Sequence, residues 1–243
     1  MNSPNTHLVL IPAFNPGRLL VETVRGALSQ WGDVWVVVDG STDGSHEGLS
    51  GGSGLRVIVR PENGGKGCAV LTGARAAIGE GFSHALVMDA DGQHPAEEIR
   101  RFMEASAAAP GAVVCGLPVF GPEAPRIRLY GRKLSVALVR LETSGRGAAD
   151  PLFGFRVYPL HALVRALEST GGGRRYDFDP EVAVRLAWGG TPAINMEAAC
   201  RYVGRERGGV THFRYVRDNL RMAAMHSRLI WALATGRRSP AAP

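Results

Sequence analysis

Short valine-rich apolar runs recur through the first half of the chain, at Leu8–Ile11, Val34–Val38, Leu55–Val59, Ala85–Met88 and Ala112–Cys115. Each is bounded by Gly, Pro or Asp and is too brief for a helix, so each predicts a strand buried on both faces. Between them, Arg18–Gln30, Cys68–Ile78 and Ala96–Ala107 carry apolar residues at helical spacing. This alternation predicts an α/β fold: a mostly parallel sheet with helices on both faces. Beyond Gly121 the pattern changes. It predicts a helix over about Arg126–Leu141, a Gly-rich loop at Ser144–Ala149, a short strand near Leu152–Val157, a helix at Glu181–Trp188 and a strand at Ala193–Met196. Gly171–Gly173 predicts a mobile loop, and one long helix from about Phe213 to Ala234 precedes a tail expected to be disordered.

In parallel sheets ligands bind beyond the carboxyl ends of the strands, so the loops there are expected to carry the chemistry. The first strand ends in Pro12-Ala13-Phe14-Asn15-Pro16, where proline frees backbone groups and Asn15 can bridge a turn or a ligand. The second ends in Val38-Asp39-Gly40-Ser41-Thr42-Asp43-Gly44; Asp39 suits a base or ribose edge, while Ser41 or Asp43 suits the cap of a following helix. The third leads into Asn63-Gly64-Gly65-Lys66-Gly67, which lacks the P-loop spacing. The chain has two lysines against 26 arginines, so Lys66 stands out as a residue that either faces a ligand or serves the loop itself. The fourth ends in Asp89-Ala90-Asp91-Gly92-Gln93-His94-Pro95. Two carboxylates one residue apart repel each other, and Mg²⁺ or Mn²⁺ would relieve this by taking oxygen from the acids, the Gln93 amide and a nucleotide diphosphate.

These four motifs, in order and at suitable spacing, resemble the family-2 glycosyltransferases with the GT-A fold. The nearest likeness is to the branch of dolichol-phosphate mannosyltransferases and bacterial polyprenyl-phosphate glycosyltransferases, over about residues 7–160. The resemblance implies that Pro12, Ala13, Asn15 and Asp39 contact the nucleoside and that Asp89, Ala90 and Asp91 meet the phosphates. It also implies that Asp91 and Gln93, with Asp89, ligate the metal. Asp150-Pro151-Leu152-Phe153-Gly154-Phe155-Arg156 is similar to a further family segment, with Phe153 where a small residue is usual. Arg205-Glu206-Arg207-Gly208-Gly209 resembles the stretch whose arginine clamps the donor diphosphate, so Arg205 or Arg207 takes that role. Pro16 stands where the family often has Glu, Val38 precedes Asp39 where a second Asp is common, and no arginine follows the fifth strand; Arg126 or Arg132 could substitute for it. These departures leave the donor and acceptor open.

Charge divides along the chain. Residues 1–120 hold 12 acids against 8 bases and residues 201–243 hold 9 bases against 2 acids, within a net charge of +6. In the last helix Arg214, Arg217, Arg221 and Arg228 fall within about 60° of one another, beside Val216, Leu220, Met225, Leu229 and Trp231. This arrangement fits either a helix at an anionic membrane surface or a solvated face of a helix docked on the domain with Asp218 paired to Arg214. Cys68, Cys115 and Cys200 are too few and scattered for a disulfide framework or zinc site. With no membrane-spanning run and a polar start, the chain is expected to be cytoplasmic, at the inner membrane face. Residues 1–208 are expected to form the catalytic domain and 209–243 the basic helix and tail.

The expected reaction inverts the anomeric carbon of a GDP- or UDP-sugar, with metal and arginine stabilising the leaving diphosphate. A polyprenyl phosphate acceptor arrives ionised and needs no base, whereas a hydroxyl acceptor needs a carboxylate, for which Asp150 is the candidate. Two other readings are a sugar nucleotidyltransferase, disfavoured by the absence of a Gly-rich loop after the first strand, and a non-catalytic binder of nucleotide sugar or membrane. Nucleic acid is not expected as a partner.

Overall fold

Strands buried on both faces need apolar side chains at every position, and the central strands have them. In β1 (His7–Ala13) and β2 (Val34–Asp39), all but one of the residues are buried. Alternate residues separate into two cores: Leu8, Leu10, Trp35 and Val37 point to one face and Val9, Ile11, Val34, Val36 and Val38 to the other. The remaining strands are β3 (Leu55–Arg60), β4 (His84–Val87), β5 (Val113–Phe120), β6 (Arg156–Pro159) and β7 (Ala193–Cys200). Among the described residues the helices are α1 (Leu19–Gln30), α2 (Lys66–Gly79), α3 (Ile99–Ala108), α4 (Arg126–Glu142), α5 (Leu160–Glu168), α6 (Phe178–Trp188) and α7 (Tyr215–Ala234), with a 3-10 turn at Ala96–Glu98. The computed structural model describes residues 6–49, 52–121, 126–170, 172–201 and 214–238, the side chains of 126–131 excepted.

The seven strands run in the order β3-β2-β1-β4-β6-β5-β7. All pairings are parallel except those of β6, which is antiparallel to both β4 and β5. Two features of this order position the site. Strand order reverses between β1 and β4, opening a crevice beyond their carboxyl ends. Because β6 is inverted, the loop that precedes it, Asp150–Phe155, lies at that same end of the sheet. Residues of α2, α5 and α6 cover one face and those of α1 and α3 the other.

The elements agree with the sequence pattern within a few residues in the first half of the chain. The second half departs from it more. The strand expected at Leu152–Val157 begins at Arg156, α6 begins three residues earlier than expected, and α5 was not anticipated at all. No helix follows Asp43 over the described residues to Leu49. Asp43 instead accepts from the Ser45 N–H, the Ser45 hydroxyl and the Gly17 N–H, and so closes a turn. Gly172 and Gly173 are held by Thr170 Oγ1 (2.9 Å) and Asp177 Oδ2 (3.1 Å) rather than lying in a free loop, while Gly171 is outside the described residues.

α7 packs on α4 and α6 through Met225 and Leu229, which meet Val139 and Val184. Its arginines are not a free stripe. Arg217 and Arg221 both reach the buried Asp218, whose other oxygen accepts the Arg214 backbone N–H, and Arg228 reaches the buried Glu181 of α6. The docked helix therefore turns a different face to solvent. Val216, Leu220 and Trp231 share it at spacings of four and eleven, and all are more than half exposed.

Candidate active site

At the crevice the loops after β1 and β2 are stitched together. Asn15 adopts a positive φ of 44°, a conformation that asparagine tolerates better than most residues. Its N–H donates to Ser41 Oγ (3.0 Å) and its side-chain oxygen accepts the Thr42 N–H (2.7 Å). Pro12 and Ala13 lie at the end of β1 beside them, with Ala13 buried.

Asp39 is 2% exposed. Its carboxylate accepts from the Arg60 guanidinium, the Gly64 N–H (3.1 Å) and the Gly65 N–H (2.7 Å). The acid that the sequence offers to a nucleoside thus first organises the loop between β3 and α2. Gly40 is required here: its φ is 66°, and a Cβ would lie 2.5 Å from the Asn63 amide nitrogen. Asn63 in turn accepts from Arg175 (2.8 Å).

The β4 loop brings Asp89, Ala90, Asp91 and Gln93 into the crevice. Asp89 meets Lys66 Nζ at 2.7 Å. Burial opposes its charge, but Lys66 holds its carboxyl below the usual carboxylate value. Asp91 has no cationic partner of this kind among the described residues. Burial, and then the charge of Asp89, push its carboxyl up to about 6, while the Gln93 N–H on Oδ1 (3.0 Å) acts in the other direction. His94 Nδ1 accepts the Asp89 N–H (2.8 Å), which leaves the proton of the neutral ring on Nε2. Burial pushes His94 down to about 4, and Phe153 and Phe155 pack edge-on to it. Phe153, unusual for its position, fits because Gly116 makes room: a Cβ on Gly116 would lie 2.7 Å from its ring.

Asp150 is buried and fork-paired with Arg132, and its Oδ1 also accepts the Leu152 N–H (2.9 Å). The base role considered for Asp150 requires that pair to open. Arg132, for its part, is held by Asp150 and by the Phe120 ring at 5.0 Å. Arg156 is fully buried beneath the site, donating to the Asp150 and Asp179 carbonyls at 3.1 and 2.9 Å. Arg205 and Arg207 lie outside the described residues, as does the side chain of Arg126. The chain enters that stretch beside the loop after β4, where the Arg201 N–H donates to the Gln93 carbonyl (3.0 Å).

One site residue escaped the sequence reading. Asp179, in the first turn of α6, meets Lys66 Nζ at 2.7 Å across 113 residues of sequence. The signal was the row Asp177, Asp179, Glu181 at a helix start. Beginning the helix at Glu181 hid it.

The fold and site are those of an α/β glycosyltransferase, and the chain belongs to the glycosyl transferase family 2, which it matches over residues 8–163. It is 29% identical over 212 residues to the polyprenol monophosphomannose synthase of Mycolicibacterium smegmatis, covering 83% of this chain and 78% of that one. It is 28% identical over 228 residues to the undecaprenyl-phosphate mannosyltransferase of Micrococcus luteus, covering 83% and 85%. Among solved structures it resembles S. aureus TarS 1-349 in complex with UDP-GlcNAc, with a TM-score of 0.56 at 14% identity over 93% of this chain and 66% of that one. The fold is GT-A and the protein is a glycosyltransferase. No helix among the described residues is long and apolar enough to cross a membrane.

Proposed function

We propose that this enzyme transfers a sugar, with inversion, from a GDP- or UDP-sugar to a polyprenyl phosphate at a membrane surface. The observation that carries this reading is the convergence of Pro12–Asn15, Asp39 and Asp89–Gln93 at the one crevice where strand order reverses. Both relatives are named for polyprenyl-phosphate chemistry. The state of the acids favours the same class of acceptor. Asp39, Asp89, Asp150 and Asp179 each already face an arginine or lysine and Asp91 is assigned to a divalent cation, so an acceptor that arrives ionised suits the site better than a hydroxyl that must lose a proton.

A divalent cation fits the residues present. Asp91, lifted to about 6 by burial and then by the charge of Asp89, is a carboxyl whose ionised form a cation would favour on both counts. Among the described residues no three His, Cys, Asp or Glu side chains stand close enough to hold a metal alone. Asp91, Gln93 and Asp89 would therefore hold Mg²⁺ or Mn²⁺ jointly with the donor diphosphate. When bound, the ion would supply positive charge to the departing diphosphate. Pro12, Ala13, Asn15 and Asp39 shape the nucleoside pocket, Ala90 lines the phosphate path, and Arg205 or Arg207 supplies further positive charge. The exposed Val216, Leu220 and Trp231 face of α7, beside Arg217 and Arg221, would rest on the lipid surface from which the acceptor is drawn.

Transfer of labelled sugar from GDP- and UDP-sugars into undecaprenyl phosphate tests this reading. It is expected to need Mg²⁺ or Mn²⁺ and to be lost in Asp91→Ala. Full activity of that variant under chelator would sink the metal role, and labelling of a lipid hydroxyl instead of the phosphate would sink the acceptor.

A further inference from the structure

Lys66 stands at the first position of α2, and its direction is fixed by the two glycines that flank it. Gly65 has φ 92° and lies against the Arg174 carbonyl, which also accepts the Gly67 N–H (2.9 Å). Held this way, the side chain crosses the crevice. Nζ sits 2.7 Å from Asp89 Oδ1 and 2.7 Å from Asp179 Oδ2, with the side chain 18% exposed. Below it the backbone of Gly154 closes the notch: a Cβ there would lie 2.5 Å from Nζ and 3.3 Å from Asp89 Oδ2. The ammonium thus occupies a close-fitting place at one of the two carboxylates offered to the metal. Asp91 has no such partner among the described residues, and Asp179 Oδ1 is buried without a hydrogen bond.

We propose that Lys66 is a tethered counter-ion that competes with the divalent cation for Asp89, so that the free enzyme binds metal weakly and the donor diphosphate brings it in. This rests on the metal reading of Asp89 and Asp91 given above. An ammonium and a divalent cation cannot both sit against the same carboxylate oxygen without strong repulsion. An ionised diphosphate offers Lys66 an alternative anion, and once Nζ turns to it Asp89 is open. Lys66 is on this account a positioning residue: it acts through Asp89 and makes metal and donor binding mutually reinforcing.

The test is Mn²⁺ binding to the full chain, measured by electron paramagnetic resonance with and without GDP or UDP. Lys66→Met is expected to bind Mn²⁺ at least about tenfold more tightly than wild type in the absence of nucleotide, the scale of one lost charged hydrogen bond. The enhancement of Mn²⁺ affinity by nucleotide, present in wild type, is expected to shrink. Lys66→Met combined with Asp179→Asn removes one positive and one negative charge, so it keeps the cluster's net charge while still freeing Asp89. It too is expected to gain affinity, and it carries the test if the single variant does not fold. A gain in the single variant alone would mean that net charge, not occupancy of Asp89, sets the affinity, and would overturn the proposal. Mn²⁺ binding that is equal in wild type and both variants would overturn it while leaving the metal reading intact. Absence of Mn²⁺ binding in all three, with nucleotide present, would remove the metal reading and the proposal together.

Discussion

Replacing His226 of α7 by leucine is expected to cost about 3–5 kcal/mol, because it strips the hydrogen-bond partner from a carboxylate sealed in apolar surroundings. His226 Nδ1 lies 2.8 Å from Glu142 Oε1, and the two side chains are 6% and 0% exposed. Glu142 Oε2 and His226 Nε2 are both buried without a partner. Removing the imidazole therefore leaves Glu142 with neither oxygen satisfied. Glu142→Leu removes the charge and leaves a ring that can be neutral, so it should cost less, about 1–3 kcal/mol. The double variant leaves nothing polar behind and extends the cluster of Val139, Val184, Met225 and Leu229, so it should cost less than either single change and approach zero. Urea unfolding followed by circular dichroism measures the three values. Fluorescence adds a local reading, since Trp188 Nε1 donates to the Glu142 carbonyl at 2.8 Å. A double variant whose cost equals the sum of the singles, or a His226→Leu milder than Glu142→Leu, would refute the reasoning.

An acid-sensitive element is His7, stacked on His84 with ring centres 4.4 Å apart. Burial, and then the charge of His84, push His7 from 6.5 down to about 4. The fold favours the neutral ring, so this contribution is whole above about pH 6.5 and is lost as pH falls towards about 4. The loss is on the order of 1–2 kcal/mol after allowing for solvent screening. His7→Asn should flatten that part of a stability-against-pH curve, and an unchanged slope would count against it. Gly40→Ala combines a left-handed φ with collision against the Asn63 and Glu62 backbone, and should cost more than about 2 kcal/mol, lowering Tm by roughly 4–8 °C; a wild-type Tm would show that the loop yields freely. Leu220→Ser with Trp231→Ser touches exposed positions, so Tm should hold while co-sedimentation with anionic vesicles falls about tenfold or more. Undiminished vesicle binding would detach α7 from the membrane role.

The central strands were legible because β1, β2 and β4 are buried on both faces, which leaves an unbroken apolar run as their imprint. The helix α5 left a readable imprint too, in Leu160, Leu163, Ala166 and Leu167, but its short span next to β6 concealed it. Other features were not local. The inverted direction of β6 is decided by the excursion through α4, not by any residue of β6. Asp179 joins Lys66 across a loop no motif describes. The arginines of α7 read as a surface stripe because two of the buried acids they or their neighbours meet, Glu181 and Glu142, belong to other helices. The site motifs themselves were visible because glycines and acids next to strand ends are costly to place without a purpose. What sequence did not convey was how many of those acids already have partners inside the protein.

That internal partnering bears on how such enzymes can be recombined. Asp39 ends β2, while the groups that satisfy it, Arg60 and the Gly64 and Gly65 amides, belong to the following strand and loop. A chimera with its crossover between β2 and β3 would inherit the acid from one parent and its three donors from the other. On the nucleoside role proposed for Asp39, donor-base preference is expected to travel as a single cassette from Asp39 to Gly67, and exchange of the first loop alone should deliver a poorly folded site rather than a new specificity.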